Sequence, residues 1–131
     1  MAIRLLDTNI VSFAVKNHPL AAVYRPYFSG FSTAISFQTV AELLEGAIRA
    51  RWGPAKRARL EMTIRSHLII RSDTTICEHW ADIRAARRSQ PIGVADAWIA
   101  ATALAFDLEL VTHNPADFRG VPGLAILTDA P

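Results

Sequence analysis

A chain of 131 residues, 51% hydrophobic and 20% charged, is long enough to bury one core and too short for two ordinary domains, so a single domain over residues 1–131 is expected. Its net charge of +2 and pI near 9.1 are too mild for bulk charge to argue for a nucleic-acid partner. Cys77 stands alone, Asp7 cuts the apolar start short of a signal-peptide core, and no uninterrupted apolar run approaches ~18 residues, so a soluble cytoplasmic protein is expected.

Ile3–Leu6 reads as a short buried strand, and Asp7, Thr8 and Asn9 supply side chains that can cap a helix over residues 10–15. Pro19 opens a second helix through Tyr27, and Gly30 breaks the chain before a strand around residues 33–36. Residues 39–51 follow as a helix, with Val40, Leu43, Leu44, Ala47 and Ile48 at helical spacing and Glu42 and Glu45 three apart on a neighbouring face. Gly53 and Pro54 stop it, and residues 55–65 form a more polar helix. A strand over residues 67–70 leads to Asp73 or Thr74, either able to cap a helix running to about Arg88. After a loop over residues 90–93, the Ala-rich segment 94–106 predicts a helix packed closely on a sheet. Glu109–Val111 is a strand, residues 114–117 a turn, and residues 124–127 a last strand.

This alternation predicts an α/β fold with a parallel sheet. In such sheets ligands bind beyond the carboxyl ends of the strands, so acids distant in sequence can meet at one edge. Asp7, Glu42, Asp96 and Asp117 each stand where an apolar run ends or a helix begins, which points to one acidic pocket and a divalent metal site. Each also has a plainer reading. Asp7 can serve as a helix cap, Glu42 as an exposed helical acid with Glu45 as an alternative, Asp96 as an acid favoured by the helix dipole, and Asp117 as a turn residue. Basic residues gather at Arg49, Arg51, Lys56, Arg57, Arg59 and Arg65, and again at Arg84, Arg87 and Arg88. They are either solvated helix faces or a path for a phosphate backbone. Cys77 with His79 is far from a zinc signature, Ser12, Ser36 and Thr39 have no paired base, and Trp52, Trp80 and Trp98 read as core or interface anchors. His113 is placed where it could touch a substrate or donate a proton, but reads more readily as a surface histidine beside a turn.

The runs Leu5-Leu6-Asp7-Thr8-Asn9, Thr39-Val40-Ala41-Glu42-Leu43 with Gly46-Ala47, Asp96-Ala97-Trp98-Ile99-Ala100-Ala101-Thr102-Ala103 and Leu110-Val111-Thr112-His113-Asn114-Pro115-Ala116-Asp117-Phe118 resemble the ordered motifs of PIN-domain ribonucleases. Within that superfamily the chain is most similar to the VapC toxins of type II toxin–antitoxin systems, and the likeness extends to Leu124. The resemblance implies a three-layer α/β/α sandwich with a short central parallel sheet. It also implies an endoribonuclease that uses Mg²⁺ or Mn²⁺ to hydrolyse a translational RNA (tRNA, rRNA or mRNA). Asp7, Glu42, Asp96 and Asp117 would be its metal ligands and catalytic acids, with Thr8, Asn9, Thr112 and Asn114 orienting them from behind. Asp7 and Asp96 would hold the ion that activates water, Glu42 would complete its ligands or hold a water, and Asp117 would take a second ion or orient the nucleophile. An all-oxygen donor set suits a hard cation. The same resemblance implies a homodimer held inactive by a VapB-type antitoxin whose C-terminal segment can send an Arg into the pocket. The apolar stretch from Leu43 to Ile48, with Trp52 and Met62, is the expected groove for that segment.

Overall fold

The computed structural model describes residues 2–131, within which the chain forms five strands and six α-helices. The strands β1 (Ile3–Leu6), β2 (Ser32–Ser36), β3 (Leu68–Ile70), β4 (Glu109–Val111) and β5 (Ile126–Leu127) form one sheet of order β3-β2-β1-β4-β5. Every pairing is parallel. The first strand made is therefore the central one, and chain order reverses at β1. That reversal opens a crevice between the loops following β1 and its neighbours.

Alternation along the strands divides the core. Leu5, Ala34 and Leu110 share a register row and face one side, where they pack with Ile83, Ala97, Ala100 and Phe118. Leu6, Ile35 and Val111 face the other, with Ile10, Val11, Leu43, Ala47 and Leu60. Helices α5 (Thr74–Ala86) and α6 (Val94–Ala105) cover the first face. Helices α1 (Thr8–Val15), α2 (Leu20–Tyr24), α3 (Phe37–Arg49) and α4 (Pro54–Arg65) cover the second, which completes the α/β/α sandwich. The small residues of α6 let it sink: Ala97, Ala100, Ala101, Thr102 and Ala103 are all buried, with Ile99 among them. Trp98 of α6 stacks on Trp80 of α5 at 4.8 Å and meets Phe37 edge-on at 5.5 Å, so both tryptophans are packing anchors.

The element boundaries differ from the sequence expectation in ways with local causes. The second helix ends at Tyr24 and the chain tightens into a 3₁₀ turn over Arg25–Tyr27, where Pro26 lacks the N–H an α-helix would use. Residues Pro115–Phe118 are likewise a 3₁₀ turn, opened by Pro115. Helix α3 begins two residues early because the Ser36 hydroxyl accepts the Thr39 N–H at 3.2 Å. It ends at Arg49, with Ala50 as its cap and Arg51 in the left-handed region at φ 54°, before Gly53-Pro54 is reached. There Trp52 N–H bonds Ala47 O at 3.1 Å and Arg51 N–H bonds Ile48 O at 3.1 Å, a complete Schellman closure. Asn17 after α1 and Asp107 after α6 adopt the same geometry, so three helices end on a left-handed residue other than glycine.

Candidate active site

Asp7 follows β1 directly, and its backbone N–H continues the sheet by bonding Val111 O at 2.9 Å. Its carboxylate is held from two sides. Oδ1 accepts the Thr8 N–H at 2.8 Å, and Oδ2 accepts the Thr112 hydroxyl at 2.7 Å. Thr112, fully buried just past β4, in turn accepts the Asn114 N–H at 3.0 Å. The capping role expected of Asp7 is thus real, yet the group is only 6% exposed. Burial raises its pKa, Thr112 and Thr8 oppose that rise, and Glu42 and Asp117 add to it.

Glu42, half-buried on α3, accepts the Thr8 hydroxyl at 3.1 Å. Behind Thr8 lies a chain that sequence reasoning missed: Thr8 Oγ1 is 2.9 Å from Thr39 Oγ1, and the Ser36 hydroxyl donates to Thr39 Oγ1 at 3.4 Å. Each hydroxyl has one proton to give. With Thr8 committed to Glu42, Thr39 must donate to Thr8, so the chain runs one way from Ser36 through Thr39 and Thr8 to the carboxylate. Ser36 and Thr39 are completely buried. The only available clue was their position, with Ser36 at a strand end and Thr39 one helical turn before Glu42.

Asp96 sits in the first turn of α6, with Gly93 so near that a Cβ there would stand 3.4 Å from Asp96 Oδ2. Burial, followed by the charges of Asp7, Asp117 and Glu42, pushes its pKa from 3.8 to about 6. The helix dipole, which would favour the ionised form, is outweighed. Asp117, on the 3₁₀ turn after β4, is exposed but close enough to act on both Asp7 and Asp96. The structure therefore gathers all four acids at the carboxyl edge of β1 and its neighbours. Glu45 points elsewhere and pairs with Arg49 at 3.5 Å on the exposed face of α3.

Of the four expected supporting residues, Thr8 holds Glu42 and Thr112 holds Asp7 through their side chains. Asn114 enters through its backbone, and Asn9 Oδ1 is buried without a partner among the described residues. His113 is drawn away into packing: its Nδ1 meets the Tyr24 hydroxyl at 2.5 Å, and its ring lies edge-on to Phe13 and Tyr24.

A carboxylate set in which burial and neighbouring charge raise the pKa of Asp7 and Asp96 is the environment a hard divalent cation relieves. Among the described residues no group of three His, Cys, Asp or Glu side chains stands close enough together to hold a metal ion; a hard cation that keeps several waters needs only one or two carboxylates in direct contact.

Beside Glu42 runs a groove of about 250 Å³ between α1, α3 and α4, with Thr8 and Glu42 at one end and Leu43, Gly46, Ala47, Trp52 and Leu60 along it. The expected groove residues Leu43, Ala47 and Trp52 line it. Ile48 and Met62 do not; they are 63% and 72% exposed on other faces of their helices.

Residues 4–124 match the family model described as PIN domain. The fold, the acidic edge and this match agree, and the chain belongs to the PIN-domain family. Within it the chain is 33% identical over 122 residues to the tRNA(fMet)-specific endonuclease VapC of Shigella flexneri, with 92% of each chain covered. It is 31% identical over 127 residues to Ribonuclease VapC1 of Haemophilus influenzae strain R2866, covering 93% of this chain and 94% of the relative. The crystal structure of DNA-bound VapBC from Salmonella typhimurium superposes with a TM-score of 0.84 at 32% identity over 98% of both chains. Among PIN domains, its relatives are the VapC ribonucleases.

Proposed function

We propose that this protein is the endoribonuclease toxin of a VapBC-type toxin–antitoxin pair, hydrolysing RNA phosphodiester bonds with Mg²⁺ or Mn²⁺ and so arresting translation. The observation that carries the reading is the meeting of Asp7, Glu42, Asp96 and Asp117 from four separate elements, close enough that their charges add to the burial that raises the Asp96 pKa to about 6. Asp7 and Asp96 would hold the ion, with Glu42 and Asp117 beside it. When bound, the ion supplies Lewis acidity to the phosphate and a more acidic water.

The chain's own residues do the positioning. Thr112 and the Thr8 N–H fix both oxygens of Asp7, leaving its remaining lone pairs turned to the cleft. The hydroxyl chain ending at Thr8 keeps Glu42 in one rotamer. Such support from behind sets carboxylate direction in metal sites generally.

Inhibition fits the adjoining groove. An apolar antitoxin segment would lie on Leu43, Gly46, Ala47 and Leu60 and bring an Arg to the carboxylates, where a guanidinium competes with the ion. A neighbouring cleft of about 110 Å³ between Trp52, Lys16, Lys56 and Arg59 would take an acidic residue of the same segment. An antitoxin complex whose contacts avoid residues 39–62 would remove this assignment. A homodimer is expected, and a monomer in sedimentation at working concentration would remove that. Among the described residues no helix is long and apolar enough to cross a membrane, and we assign the activity to the cytoplasm, where translational RNA is found.

The test is cleavage of total bacterial RNA by protein freed of its partner. Discrete fragments with Mg²⁺ or Mn²⁺ that vanish with EDTA and with Asp7→Asn or Asp96→Asn are the expected result. Folded, metal-supplied protein that cuts none of that RNA would overturn the reading.

A further inference from the structure

We propose that the pocket walled by Arg84, Arg87, Arg88, Pro91 and Ile92 binds a backbone phosphate of the RNA substrate remote from the bond that is cut. The proposal rests on the ribonuclease reading and adds a second anchoring point to it.

The pocket has a volume of about 250 Å³ at the C-terminal end of α5. Arg84 stands in the last turn of α5, and Arg87 and Arg88 directly follow its last residue, Ala86, so the helix end and the loop leaving it bring three guanidinium groups to one place. Among the described residues none of the three is in an ion pair. Two are preset by the loop they hold: Arg84 Nη1 donates to Ile92 O at 2.7 Å, and Arg87 Nε donates to Gln90 O at 3.0 Å. Arg84 also lies over the Trp80 ring at 5.5 Å. Neither bond exhausts its fork of five N–H donors. Arg87 Nη1 is buried with no hydrogen-bond partner among the described residues.

Cations at a helix C-terminus have an ordinary structural role, and one bond from each of Arg84 and Arg87 pins the loop that follows. It does not account for three unpaired positive charges around one concavity, nor for a buried guanidinium nitrogen left without an acceptor. A phosphate diester answers both, because its two non-bridging oxygens accept paired N–H groups from a planar fork.

Position selects RNA as the source of that phosphate. The loop forming the wall leads straight into α6, and Ile92 is four residues from Asp96. Their Cα atoms can stand no more than about 14 Å apart. A strand crossing the carboxylates therefore passes the arginines within a few nucleotides. The arginines would attract the backbone while the acids, which repel it, remain free for the ion.

The experiment measures fluorescence anisotropy of labelled bacterial initiator tRNA with the intact protein in EDTA, so that binding is read without cleavage, for wild type, Arg88→Ala, Arg88→Glu and Arg25→Ala. Arg88 and Arg25 are both exposed, so each variant should fold. Loss of one phosphate contact should weaken binding about tenfold for Arg88→Ala and further for Arg88→Glu, and lower the slope of log K against log salt by about one. Arg25→Ala, which removes equal charge elsewhere, should change binding less than about twofold. Unchanged affinity and salt slope in both Arg88 variants, or an equal loss with Arg25→Ala, would overturn the site while leaving the ribonuclease reading intact. Wild-type protein that neither binds nor cleaves the tRNA would overturn both.

Discussion

Replacing Asp96 by Asn should make the metal-free protein more stable and inactive at once. A carboxyl pKa moved from 3.8 to about 6 corresponds to at most about 3 kcal/mol that the folded state gives up to keep the group ionised at neutral pH, and because Asp96 is only half-buried, solvent screening reduces that figure. Asn keeps the shape and removes the charge, while some cost of burying a polar group remains, so a gain of about 1–3 kcal/mol is expected at pH 7.5. For a domain of this size that is a rise in Tm of roughly 3–10 °C. The gain has a defined pH window. The folded protein holds this proton more tightly than the unfolded chain, so wild-type stability falls as pH rises from about 4 through about 6, and the advantage of the variant grows over that interval. Below pH 3.8 the advantage should disappear. Thermal unfolding in EDTA across pH 4–8 measures it, and added Mg²⁺ should then raise the Tm of wild type but not of the variant. A variant no more stable than wild type at pH 7.5, or equally advantaged at pH 4, would refute the idea that the cost of burying a charged Asp96 among other carboxylates is stored at this edge.

Thr39→Val removes the middle of the buried hydroxyl chain and should cost about 1–3 kcal/mol and reduce cleavage through a misdirected Glu42, whereas Thr39→Ser should recover both; denaturant titration and initial cleavage rates check the pair. Arg51→Gly should stabilise by about 1 kcal/mol, because a left-handed residue at φ 54° is unfavourable with a Cβ and free of that penalty in glycine; a lower midpoint in urea would contradict it. A Cβ at Gly46 meets nothing within 4 Å, so Gly46→Phe should fold normally, fill the groove beside Glu42 and weaken antitoxin binding at least tenfold by calorimetry, with unchanged affinity counting against the groove.

How much of this was legible beforehand follows from range. The alternation of strands and helices was readable because β1, α3 and α6 carry their periodicity locally, and the four acids stood out because each follows a strand or opens a helix. The one-way chain from Ser36 to Glu42 was invisible because its decisive link joins Thr8 to Thr39 across 31 positions, and nothing local marks two threonines as neighbours. Arg51 was passed over because glycine and proline two residues later looked like the stop, whereas the backbone had already turned. Met62 and Ile48 were assigned to the groove on helical periodicity around Gly46, and the faces they occupy are set by how α3 and α4 pack, which no single-helix pattern reveals.

The sheet order also has a meaning for synthesis. Because β1 is central and first, it waits for partners on both sides, and the carboxylates are translated in the order Asp7, Glu42, Asp96, Asp117. Thr112, which holds Asp7 in place, comes only with the strand that completes the central pairing. A growing or truncated chain lacking that segment has neither the orientation nor the full charge of the pocket. The four-acid pocket is thus complete only once residue 117 has been made and β4 has paired with β1.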